Sequence, residues 1–152
     1  MLRQQSGTPD AFQVWEGAER LYTHEPFAPL YRYGDQQWGG IVDWTVLGLI
    51  QAEQVGVSSE NIATLMQTEG EADAAYVTRV GESVARLLNT SLDAPNNLGL
   101  AKGFMVSVIR EVGNYGEIFN RNLGADTGGL TLTRGLNNLA VDGGLLYAPD
   151  WR

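Results

Sequence analysis

Val112-Gly113-Asn114-Tyr115-Gly116-Glu117-Ile118-Phe119-Asn120-Arg121-Asn122-Leu123-Gly124 reads as a helix that stops at Gly113 and a second helix that begins at once. Asn114 supplies an N-cap oxygen, and Glu117 can reach back to the cap's own N–H, so a capping box is predicted. Asn122-Leu123-Gly124 closes the second helix, with Gly124 expected in the left-handed C′ conformation.

Helical spacing extends outward from this break on both sides. Ala101, Phe104, Met105, Val108, Ile109 and Val112 fall on one face at i, i+3, i+4, i+7, i+8 and i+11. Tyr115, Ile118 and Phe119 carry that apolar face past Gly113. Downstream, Thr133 is predicted to cap a helix over residues 134–140, and Leu145-Leu146-Tyr147-Ala148-Pro149 to pack back as an extended tail. Upstream, Asp35 caps a helix running to Gln54 and ended by Gly56. Its apolar residues, from Trp38 to Ile50, lie around most of the circumference, which predicts burial on more than one side. Ser58 caps a short helix over 60–66, and a longer one over 72–88 buries Val77, Val80, Val84, Leu87 and Leu88. The expected fold is therefore mainly α.

The first thirty-five residues differ. Phe12-Gln13-Val14-Trp15 and Leu30-Tyr31-Arg32-Tyr33 read as two short strands. Between them, Pro26 and Pro29 bias their predecessors toward extended geometry. Residues 1–35 are thus set apart from a single helical unit over 36–152.

Several ordered stretches resemble one family, the periplasmic solute-binding proteins of ABC transporters for general L-amino acids (solute-binding protein family 3 type). They are the stretch 112–124, Glu25-Pro26, Arg32-Tyr33-Gly34-Asp35-Gln36-Gln37-Trp38, Ile41-Val42-Asp43-Trp44, Leu49-Ile50-Gln51-Ala52-Glu53, Arg134-Gly135-Leu136-Asn137 and Gly143-Gly144-Leu145-Leu146-Tyr147-Ala148-Pro149. The resemblance runs from about Tyr22 to Arg152 and implies the helical C-terminal portion of a type II periplasmic-binding-protein fold. It implies a hinge strand over 23–32 and, in 38–55, a helix that brace the first lobe. It further implies an L-amino acid and a membrane permease as partners of the full-length family, and a periplasmic location. The sequence departs from the family at Ala140, where a tryptophan is usual, and over 68–97. None of Arg3, Arg20 or Arg32 sits in a segment resembling the family's carboxylate clamp, so no ligand-binding residue is assigned.

Composition excludes several alternatives. A net charge of -8 argues against nucleic acid and against an anionic membrane surface. No cysteine is present, which removes thiol catalysis and zinc–thiolate sites. The stretch 1–10 has no apolar run of the kind a signal peptide carries, so Met1 is expected to be an internal or altered start. His24, the single histidine, has no neighbouring nucleophile to activate and reads as a loop residue. Glu69, Glu71 and Asp73 lack the ligand spacing of a calcium loop and suit a helix N-terminus instead. Gly128-Gly129 and Gly143-Gly144 match no phosphate loop and read as turns, and Asn89-Thr90-Ser91 is a chance-level glycosylation pattern. Tyr115 and Tyr147 are expected to find internal partners.

No catalytic residue, metal site or cofactor is expected. The expected function is that of a fragment or truncated homologue of an amino-acid-binding protein, not an enzyme; a free-standing structural or interaction subunit is the alternative. Trp38 and Trp44 read first as core residues. Without the first lobe, an exposed patch is expected around Trp38, Ile41 and Trp44, leading to self-association or partner binding.

Overall fold

A computed structural model of the chain describes residues 28–88, 98–101, 103–124 and 131–151. The chain divides into two compact units, residues 1–30 and 31–152, and the described helices all lie in the second. They are α1 (Gln36–Gln54), α2 (Ile62–Leu65), α3 (Asp73–Val80), α4 (Glu82–Leu88), α5 (Phe104–Val112) and α6 (Tyr115–Asn122), followed by 3₁₀ turns at Gly135–Asn137 and Ala140–Asp142. The mainly helical expectation holds. The predicted strand 12–15, His24, the pattern 89–91 and Gly128-Gly129 lie outside the described residues.

The predicted strand at Leu30–Tyr33 is not formed: the chain runs through it without pairing and turns at Tyr33-Gly34 into α1. Strand-forming residues need a neighbouring backbone. Among the described residues, β pairing is confined to an isolated parallel bridge between Leu139 and Leu146.

Helix α1 starts where the sequence places it, with the Asp35 carboxylate accepting the Trp38 N–H at 3.0 Å. It ends as predicted, with Val55 N–H on the Gln51 carbonyl and Gly56 at φ 71°. Its burial is uneven. Gly48, Leu49, Ile50, Gln51 and Ala52 are buried near its C-terminal end, but Gly39 alone is buried in its first turns. Gly48 allows a close approach: a Cβ there would lie 2.7 Å from Met105 Cε and 3.1 Å from Trp151 Cζ2. That approach seats α1 on α5.

The break at Gly113 forms as read. Gly113 takes φ 76° and closes α5 on the Ile109 carbonyl. Asn114 then caps α6 with a complete capping box. Gly124 differs from expectation. It is not left-handed; the Leu123 and Gly124 N–H groups share the Phe119 carbonyl at 2.7 and 3.0 Å. A Cβ at Gly124 would meet Asn120 Cα at 2.7 Å, so crowding is what demands glycine there.

Three further helices were misjudged in extent. The helix predicted over 72–88 is two, α3 and α4, because Gly81 adopts φ 87° and ψ 154°. The apolar stripe continues across it because α4 restarts at the next residue. Ser58 does not cap: the helix shrinks to Ile62–Leu65 with Asn61 at its N-cap and no side-chain cap, and Ser58 instead ties the turn before it, its hydroxyl accepting the Asn61 N–H at 3.3 Å while Asn61 Oδ1 accepts the Ser58 N–H at 2.8 Å. The helix predicted over 134–140 is absent, since Gly135 at φ 50° leaves α geometry, and the two 3₁₀ turns that replace it carry no side-chain cap.

The main core joins Leu49, Ala52, Val57, Ile62, Val84, Leu87, Leu88, Met105, Val106, Ile109 and Trp151. A smaller cluster joins Ile50, Leu139 and Ala148 beneath the tail. Helix α1 packs against α4, α5 and α6, and α5 also packs against α2 and α4. The tail packs back as predicted: Leu146 exchanges hydrogen bonds with Asn138 and Ala140, and Ala148 and Trp151 are buried.

Candidate functional site

The strongest candidate for a ligand-gripping guanidinium is Arg134, and its fork is filled. Nη1 donates to Glu53 Oε1 at 2.6 Å and Nη2 to Oε2 at 3.1 Å, with both side chains 17% exposed. Nε and Nη2 also donate to the Asn137 carbonyl at 3.0 and 2.8 Å. The guanidinium carbon lies 5.6 Å from the Tyr115 ring centre and 5.3 Å from that of Phe119, a desolvated cation–π arrangement. Gly116 makes room for the pair: a Cβ there would stand 2.8 Å from Glu53 Oε1 and 3.1 Å from Arg134 Nη1. The bidentate geometry that would recognise a ligand carboxylate is thus spent between α1 and the segment after α6. Tyr115 partners this cation, while Tyr147 is exposed.

Asn114 and Glu117 extend the capping box into a tertiary tie. Asn114 Nδ2 donates to the Val57 carbonyl at 2.8 Å, and the Glu117 carboxylate accepts both the Ser59 N–H and the Ser59 hydroxyl. Burial pushes the Glu117 carboxyl up, but the hydrogen bonds from Ser59 and Asn114, with the charge of Arg121, outweigh it and hold it below its ordinary value.

Glu71 pairs with Arg79, accepting Nε at 2.9 Å and Nη2 at 2.8 Å, and accepts the Thr68 N–H at 3.0 Å. Arg79 donates onward to the Thr64 and Met66 carbonyls and lies 5.4 Å from the Tyr76 ring centre. The Arg79 hydrogen bonds foremost bring the Glu71 carboxyl down from 4.5 to about 2. A lowered carboxyl adds stability that is complete above pH 4.5 and is lost as pH falls toward 2. Comparing urea midpoints of the parent and Glu71→Gln checks this: the parent leads at pH 7, and the lead shrinks below pH 4.5. A lead that persists unchanged to pH 2.5 would contradict the charge pairing. Tyr76, which the stripe did not include, is fully buried here and donates its hydroxyl to the Leu65 carbonyl at 3.0 Å.

An open cleft of about 400 Å³ lies at the end of the tail, lined by Glu82, Ser83, Arg86, Asp150 and Trp151. Its polar groups are paired internally. Asp150 accepts the Ser83 hydroxyl at 3.1 Å and Gln51 Nε2 at 3.1 Å, and Arg86 is held by Glu82. Ser83 hydrogen-bonds a carboxylate directly. No group of three or more His, Cys, Asp or Glu among the described residues is placed to hold a metal ion.

The aromatic residues singled out in the sequence are separated by the fold. Trp44 is half-buried and packs edge-on against Trp151, with ring centres 5.4 Å apart, and Ile41 is partly buried. Trp38 remains 52% exposed, beside Tyr31 at 45% and Tyr33 at 100%. Tyr31 lies across the first turns of α1, where a Cβ on Gly39 would stand 2.5 Å from its ring. Around the start of α1 the open apolar surface is therefore Trp38 with Tyr31 and Tyr33; Trp44 is largely claimed by the core.

No protein-family model matches the chain. Several curated relatives do, two of them as follows. The general L-amino acid-binding periplasmic protein AapJ of Rhizobium johnstonii is 37% identical over 134 residues, 87% of this chain and 36% of its own length. The glutamate/glutamine/aspartate/asparagine-binding protein BztA of Rhodobacter capsulatus is 37% identical over 132 residues, with the same two shares. The fold agrees with that of an ABC transporter periplasmic binding protein from Brucella ovis with glutathione bound, at TM-score 0.66 and 34% identity, over 80% of this chain and 35% of that one. The chain is thus similar to amino-acid-binding proteins of ABC transporters. It corresponds to their C-terminal part and spans little more than a third of the length of the curated relatives it matches. In this chain the polar clusters tie helix to helix.

Proposed function

We propose that this chain serves an amino-acid-binding protein of an ABC importer as its C-terminal brace, supporting the ligand-holding lobes without touching the ligand. The observation that carries this reading is the filled fork of Arg134, the best-buried guanidinium described, whose partner Glu53 belongs to the brace itself. The complete protein would capture free L-amino acids in the periplasm and present them to its permease, with lobe closure supplying selectivity. In this reading the chain is a binding-protein portion rather than an enzyme, as the names of its relatives suggest, and Ser59, Ser83, Glu71 and Glu117 serve structural pairs.

The exposed start of α1 supports a second role for the same surface. Trp38, with Ile41 beside it, would dock the remainder of the binding protein, or in its absence a second copy or a protein partner. Isothermal titration of the purified chain with L-amino acids, singly and mixed, tests the brace reading. No heat is expected, and micromolar binding would overturn it. Sedimentation of the same sample is expected to show association that Trp38→Ser weakens; a clean monomer would remove the docking role.

A further inference from the structure

We propose that Met66 is an oxidation site, whose sulfoxide oxygen is received by the guanidinium of Arg110. The guanidinium groups of Arg79, Arg86, Arg121 and Arg134 all donate to oxygen atoms. Arg110 of α5 instead donates Nη2 to Met66 Sδ, at 3.1 Å. A thioether sulfur is a weak acceptor, whereas a guanidinium carries five N–H donors and a permanent charge. One oxygen atom on that sulfur turns a poor match into a charge-assisted hydrogen bond.

The surroundings select Met66 over Met105. Met66 is half-buried at the end of α2, with its N–H on the Ile62 carbonyl and its own carbonyl accepting Arg79 Nη2 at 2.9 Å. Its contact with Arg110 is exposed. Met105 is fully buried, with its thioether close under Gly48. Hydrogen peroxide reaches the first from solvent and the second only through an opening of the core. The Met66 sulfur attacks one peroxide oxygen, and the O–O bond breaks as the S–O bond forms. The sulfide gives up two electrons and becomes the sulfoxide. The departing hydroxide takes the proton of the transferred oxygen and leaves as water. A sulfoxide is polar and ill suited to the core that Met66 adjoins. Three rotatable bonds let the side chain turn the new oxygen toward the Arg110 N–H groups instead. The fold holds while the thioether consumes oxidant, and sulfoxide reductases reverse the step.

Treating the purified chain with dilute hydrogen peroxide, and following each methionine by peptide mass spectrometry, tests the site. Met66 is expected to gain oxygen on the order of tenfold faster than Met105. Thermal melts before and after oxidation then separate a received oxygen from a sulfur that is only accessible. The parent should lose little in Tm when Met66 is oxidised, whereas Arg110→Ala should lose about 3 °C more. Met66→Gln supplies an oxygen acceptor without any oxidant, and adding Arg110→Ala to it should cost more Tm than adding Arg110→Ala to the parent. Equal oxidation rates at Met66 and Met105 would overturn the inference, as would equal losses of Tm in the oxidised parent and oxidised Arg110→Ala.

Discussion

Trp151→Ala is expected to lower the unfolding free energy by about 3–5 kcal/mol, the usual cost of truncating a fully buried large aromatic. Against a total of about 5–15 kcal/mol for a domain, that removes a large fraction of the margin. The corresponding fall in Tm is on the order of 10 °C for a chain of this size. The loss has three sources here: the edge-on contact with Trp44, the tilted contact with Phe104, and the close fit under Gly48. Trp151→Phe separates volume from polarity. The indole Nε1 is buried without a hydrogen-bond partner, as is Gln51 Oε1, so phenylalanine removes an unpaired donor while giving up part of the packing. It should cost clearly less than alanine. Urea denaturation of both variants checks the order; an alanine variant within about 1 kcal/mol of the parent would show that the tail is not part of the core.

What the sequence displayed and what it concealed follow from the range of each interaction. The capping box at Asn114 and Glu117 and the cap at Asp35 depend on residues three apart, and both formed as read. The breaks at Gly81 and Gly135 were missed because glycine within an apolar stripe is silent about its φ until the surrounding packing selects it. The strand at 30–33 failed for the opposite reason, since its residue types were favourable but pairing partners were not there to be read. The aromatic patch was half correct. Trp38 is exposed, but Trp44 faces Trp151, a partner more than a hundred residues away that helical periodicity cannot see. Glu53, Arg134 and Gly116 all stood within the stretches that resemble the family, yet only the fold shows that the first two pair over the third.

That pair gives the other large effect. Arg134→Ala and Glu53→Ala are each expected to cost about 2–4 kcal/mol, toward the lower side for a buried pair because both side chains retain some exposure. Most of the cost is the charge left behind without a partner, so the effects should not add. Combining the two alanine substitutions should therefore recover part of the summed loss, with a coupling of about 1–3 kcal/mol in a double-mutant cycle. Recovery will be incomplete, because Arg134 also binds the Asn137 carbonyl and covers the rings of Tyr115 and Phe119. Arg134→Lys discriminates further: it keeps the charge but cannot reproduce the two-pronged contact with Glu53, so it should fall between parent and alanine. Urea midpoints of the five proteins suffice for the comparison. Single variants as stable as the parent would make the contact an ordinary solvent-screened pair. The Arg134 guanidinium would then be free to grip a carboxylate, and the brace reading would lose the observation on which it rests.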